Sequence, residues 1–189
     1  QTHRRKITKV MDEWKELDKR YDQMKVKDAI NAEVFKREMS NRFEVTVAAL
    51  EEDHRKNRKQ IEEVHEERVI SAMNEKKRLA THAYRKALAD SVGKSKNKHE
   101  VLKTLKAYIR AEEKDRIHAL NRYRHLLRTD AKEAQDQKGI ILHRLKYVDL
   151  RVNGTIAMLR DFPTLEKELL DIIYAFWDDF RRENTPELG

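Results

Sequence analysis

In the stretch LKTLKAYIRAEEKDRIHALNRYRHLLR (residues 102–128), the side chains able to do chemistry are bases. Lys103, Lys106, Arg110, Lys114, His118, Arg122 and His125 recur at three- and four-residue spacing. On a helix advancing about 100° per residue they fall between about −60° and about +100° of Lys103, a continuous stripe about five turns long. Leu102, Leu105, Ile109, Leu120, Tyr123 and Leu127 gather on the opposite side and would anchor the stripe to a core. Ammonium and guanidinium groups are donor-only cations, and the partners that suit them are oxyanions.

A solvated helix face is the ordinary use of surface charge, but such faces mix signs in i,i+4 pairs. Here Glu112 and Asp115 fall off the stripe, and only Glu113 lies near its edge. Like charges held on one rigid face repel, a cost that a polyanion relieves, so the stripe is read as a polyanion site. The charge distribution agrees. Between Lys76 and Arg128 there are 16 Lys and Arg against 5 Asp and Glu, a net of +11, while the whole chain carries +8 and the remainder therefore −3. His65, Arg68 and Lys76 share one face of the preceding helical segment and extend the set. Taken alone, His65 reads as a partly buried histidine at the edge of a helix seam. The 8 histidines raise metal binding, yet no HxxxH or HExxH pair occurs, and His118 and His125 stand two turns apart.

The elements that must position these groups are helices. Charged residues make up 40% of the 189, and Gly (4) and Pro (2) are too scarce for frequent turns. Ile7, Val10, Trp14, Leu17, Tyr21 and Met24 alternate steps of three and four, a coiled-coil seam that needs a partner helix. After a break near Val26–Asp28, the segment Ala29–Asp90 has no Gly or Pro and supplies that partner, with Phe43, Val47, Leu50, Ile61, Val64 and Ala72 along one side. Its apolar spacing lapses near Asp53–Asn57. Ser91–His99 reads as an exposed basic loop. Thr129-Asp130 with Glu133 resembles a capping box opening a further helix, striped by Ile141, Leu145, Val148, Val152, Ile156 and Leu159. Asp161-Phe162-Pro163 ends it, and Pro163 suits the first turn of a last helix that buries Leu165, Leu169, Ile172, Phe176 and Phe180. The expected fold is an all-α, elongated, coiled-coil-rich bundle. It has an N-terminal coiled-coil lobe (about 1–60) and a C-terminal bundle lobe (about 61–189) sharing one long central helix.

Other classes recede. No run of 18 apolar residues is present. The chain opens mid-pattern at Gln1-Thr2-His3 without a signal peptide, as a fragment of a longer protein would. The absence of cysteine leans towards the cytosol, whereas the sequon Asn153-Gly154-Thr155 leans towards glycosylation and the cell exterior. No nucleophile elbow, phosphate loop or paired-carboxylate constellation stands out, so no enzyme is expected.

The segments KKRLATHAYRKAL, LKAYIRAEEKDRIHAL and RVNGTIAMLRDFP, in this order, and the opening THRRKITKVMDEWKE resemble the central helical ectodomain module of the amyloid precursor protein family, in an invertebrate form. YIRAEEKDR is the most specific stretch, and the resemblance covers nearly the whole chain. It implies two coiled-coil lobes joined by a long helix, binding of heparin and heparan sulfate proteoglycans, and an antiparallel homodimer. It also implies an extracellular place in a single-pass type I membrane protein concerned with adhesion and neuronal development, anchored by a segment outside this chain. The sulfate-binding set is then His3, Arg4, His65, Arg68, Lys76, Lys103, Lys106, Arg110, Lys114, His118, Arg122 and His125, and protonated histidines would strengthen binding in mild acid. Asn153 becomes a credible glycosylation site.

The family's four-histidine metal site maps onto His3, His65 and His118, with Arg122 in the fourth position. A guanidinium has no lone pair to donate and repels a cation, but it binds oxyanions bidentately. No cofactor is required on this reading, and weak zinc or copper binding at the three histidines stays open. A metal-binding or purely structural dimerisation rod is the alternative. A nucleic-acid-binding coiled coil ranks lower, because few aromatics interleave the bases.

Overall fold

The computed structural model describes residues 2–92 and 97–185. Every element among them is helical: α1 (Thr2–Lys27), α2 (Ala29–Asp90), α3 (Lys98–Thr129), α4 (Ala131–Ile156), a 3-10 turn (Ala157–Asp161) and α5 (Pro163–Asn184). The all-α expectation holds, and α2 passes Asp53–Asn57 without a break. The described residues cluster into two units that divide between Glu67 and Arg68, so α2 contributes to both.

Local chemistry sets the breaks. The Asp28 carboxylate accepts from the Asn31 backbone N–H at 3.2 Å and from its amide nitrogen at 2.6 Å, capping the start of α2. Asp130 does the same for α4, accepting from the Glu133 N–H at 3.1 Å, so within the Thr129-Asp130 pair the cap is Asp130. Pro163 opens α5 at the position where its missing N–H is no loss.

In the first unit α1 lies antiparallel on α2. Tyr21 Oη donates to Glu33 at 2.8 Å, the Trp14 and Phe43 rings meet at 4.8 Å, and His3 stacks on His54 at 4.0 Å. All six predicted seam residues of α1 are half-buried or buried. Ile61 and Val64 do not join them: both are exposed, as is Ala72 further along. The described contacts of α1 reach along α2 as far as Glu51 and His54, and apolar spacing alone does not bury a side chain that no neighbouring helix covers.

The second unit packs α3, α4 and α5 with the last turns of α2. Tyr84, Leu105, Ile109, Val148, Val152, Ile156, Leu159, Leu169 and Ile173 form its buried centre. Each such side chain taken out of water contributes about 1.5–3 kcal/mol. Tyr84 donates its hydroxyl to the Thr155 carbonyl at 3.2 Å, tying α2 to α4. In α5 the register differs from expectation by one residue: Ile173 is fully buried and Ile172 is 44% exposed. The predicted loop Ser91–His99 shortens, because Lys98 and His99 already belong to α3, while residues 93–96 lie outside the described residues.

Candidate anion-binding site

The three acids of the quoted helix decide what the bases of α3 can do. Glu112, Glu113 and Asp115 are all buried. Arg151 of α4 holds Glu112, its Nη2 at 2.9 Å and Nε at 3.0 Å from the carboxylate oxygens. Glu113 accepts from Trp177 Nε1 and Arg181 Nη2 of α5, both at 2.6 Å. Asp115 takes Lys77 of α2 at 2.7 Å and also Arg144 of α4. Burial works against the Asp115 anion, but the Lys77 hydrogen bond and the Arg144 charge outweigh it and hold the carboxyl below its usual range. Each acid is thus neutralised by a cation of another helix and is lost to the stripe.

What remains facing outward is basic. Lys103, Arg110, Lys114 and His125 are exposed, and Lys106, His118 and Arg122 are half-buried. Lys106 Nζ and Arg110 Cζ lie 5.3 and 5.1 Å from the centre of the Phe176 ring of α5, a cation–π contact that steadies both heads. One turn on, Lys114 and His118 meet Lys76 of α2 and Asn121 around a shallow cleft of about 310 Å³ floored by Met73 and Ile117. Ammoniums and an amide around an apolar floor can donate to an oxyanion from several directions at once. Phe176 and Asn121 escaped the sequence reading. Phe176 looked like core spacing, and nothing in the linear pattern pairs it with bases some seventy residues away.

The other predicted members divide between the two units. His3, Arg4 and His65 belong to the first unit, where His3 Nε2 lies 3.4 Å from Glu51 and Arg4 is exposed. His65 is exposed rather than half-buried in a seam, and Arg68, at the start of the second unit, is exposed too. As a metal site the set is unfavourable: Lys76 and Lys114 share the cleft of His118, and their charges oppose a divalent cation. Among the described residues no three His, Cys, Asp or Glu side chains gather where one ion could sit. Asn153 is exposed on α4, its Oδ1 accepting from Tyr174 at 3.4 Å. Among the described residues no helix is long and apolar enough to cross a membrane.

A family model described as the E2 domain of amyloid precursor protein matches residues 1–159. The chain belongs to this family. It is similar to an amyloid-beta-like protein of Caenorhabditis elegans, 58% identical over 187 residues, covering 99% of this chain and 27% of the relative. A Drosophila melanogaster amyloid-beta-like protein is 35% identical over 92% of the chain, which spans 20% of that relative. The chain therefore spans about a quarter or less of the curated relatives it matches. Among solved structures, the E2 domain of APL-1 from C. elegans in complex with sucrose octasulfate superposes with a TM-score of 0.84 at 58% identity, over 100% of this chain and 86% of that one. The apo E2 domain of amyloid precursor protein-like protein 1 gives 0.75 at 27% identity, over 98% and 92%. This E2 domain thus shares the all-helical fold of its relatives.

Proposed function

We propose that this E2 domain is an extracellular heparan-sulfate-binding module of an amyloid-precursor-like cell-surface protein, not an enzyme. The observation that carries the reading is the division of charge along the middle of α3: Glu112, Glu113 and Asp115 turn inward to cations of α2, α4 and α5, while Lys103, Arg110, Lys114 and His125 are exposed. Such a face offers many cationic donors close together, which suits a chain of sulfates. The similar APL-1 domain crystallised with sucrose octasulfate, a small sugar crowded with sulfates, supports it. Antiparallel pairing of two copies, a role in adhesion and neuronal development, anchoring by a membrane segment outside this chain and a glycan on Asn153 belong to the same reading.

Heparin titrations across NaCl concentrations test it, beside a Lys76→Ala/Lys103→Ala/Lys114→Ala variant whose three side chains are exposed. By analogy with polyphosphates, affinity falls steeply with salt, and each lost contact flattens the log–log slope by about 0.9. The variant binds at least tenfold more weakly, and single-stranded DNA competes poorly. A variant indistinguishable from the parent reduces the stripe to a solvated face. Sedimentation of the chain with and without heparin tests the pairing of copies.

A further inference from the structure

Lys76, Lys77 and Arg78 are consecutive on α2 and point about 100° apart. Lys76 reaches the cleft on the α3 side, and Lys77 turns inward to Asp115. Arg78 faces a second cleft, where it stands with Arg85 of α2 and Arg151 and Gly154 of α4. This cleft is wholly within the second unit and measures about 720 Å³, inside the ~300–1,000 Å³ range of ligand sites.

Its walls carry Lys77, Arg78, Arg85 and Arg151 against one carboxylate, Glu112. Arg151 answers that carboxylate, and Lys77 answers Asp115 below. Among the described residues Arg78 is held by Glu75 one turn away through its Nε at 3.0 Å and Nη2 at 2.6 Å, an exposed pair that water and salt weaken. Arg85 is exposed and makes no ion pair among the described residues. The Arg85 guanidinium is therefore available to a bidentate oxyanion, Arg78 can join it by exchanging its exposed Glu75 pair for the ligand, and the Asn74 amide and Thr81 hydroxyl beside them can meet sugar hydroxyls. At Gly154 nothing lies within 4 Å of where a Cβ would stand, so the α4 wall is open to a bulky ligand. The aromatic ring lining the cleft, Tyr108, is buried, so nucleobases find no stacking platform there.

We infer that this cleft is a second, separate site for a sulfated sugar segment. The C-terminal unit then presents sulfate-binding faces on two sides of α2, able to hold two glycosaminoglycan segments at once. The inference rests on the sulfated-glycan reading of the α3 face and adds the second site and its residues.

Calorimetric titration of the chain with a size-defined heparin hexasaccharide tests it. The expected result is two hexasaccharides per chain. Arg78→Ala/Arg85→Ala lowers this to one and leaves the affinity of the remaining site within twofold, while Lys76→Ala/Lys103→Ala/Lys114→Ala removes the other. Circular dichroism of both variants, expected unchanged because all five side chains are exposed, separates lost binding from lost fold. One hexasaccharide per chain, lost on the α3 variant and untouched by Arg78→Ala/Arg85→Ala, overturns the second site and leaves the first standing. A single site weakened by both variants also overturns it. No binding by the parent overturns both readings.

Discussion

Asp115 shows how a buried side chain prepares the charged surface around it. Its carboxylate is shared by Lys77, Arg144 and, at 3.7 Å, Arg151, so three helices meet on one buried charge. Replacing it by asparagine leaves the half-buried Lys77 without its counter-ion, a loss on the order of 2 kcal/mol. The pH dependence has a definite sign. A carboxyl held below its ordinary value in the folded chain adds stability that is complete above its unfolded value of about 3.9 and disappears as pH falls through the lower folded value. Urea midpoints should therefore hold steady on this account from pH 7 to pH 5 and drop below about pH 4. Asp115→Asn should be less stable at neutral pH and show a smaller drop in acid. An equal acid drop in parent and variant would assign the effect to other groups.

The helices obey amphipathic spacing, but spacing leaves a choice of register. Along α5, Leu165 and Leu169 can be followed by Ile172 or by Ile173 with Phe176 and Phe180 in either case. The structure buries Ile173 against α3 and α4 residues and turns Ile172 outward. Ile173→Ala is accordingly expected to cost roughly 2–5 kcal/mol of unfolding free energy, and Ile172→Ala no more than about 0.5. Chemical denaturation of the two variants side by side checks the register, and reversed magnitudes would show it to be wrong. The same ambiguity explains Phe176. Its spacing marks it as core-facing, and only the approach of α3 reveals that its ring also carries Lys106 and Arg110.

At the scale of the whole chain, burial is uneven. In the first unit only Tyr21 and Ala32 are buried among the described residues, because two helices alone cannot enclose a core. The second unit holds the rest of the buried apolar side chains, crossed by the ion pairs of Glu112, Glu113 and Asp115. Local opening should follow this difference. Native-state hydrogen exchange of the intact chain is expected to show α1 amides exchanging at least tenfold faster than those of α3 around Leu105 and Ile109. Equal protection in the two helices would mean that α1 is held by contacts beyond those of its own unit.

Much of this was legible in the linear chain. Helical class, the breaks at Asp28 and Pro163, the seam of α1 and the basic stripe of α3 all follow from local spacing, capping chemistry and charge, which act over a few residues. So does the family, through segments such as YIRAEEKDR. The outcome for Ile61, Val64 and Ile172 was not legible, since an apolar side chain is buried only where a neighbouring helix reaches it. Nor was the fate of Glu112, Glu113 and Asp115. The wheel placed Glu112 and Asp115 off the stripe and Glu113 near its edge, but their neutralisation required Arg151, Lys77 and Arg181, brought from 39, 38 and 68 residues away. The sequence by itself determined which helices form and where the bases lie on them. Only the tertiary structure decided which charges cancel and which stay exposed, because pairing depends on distances between helices that no local pattern encodes.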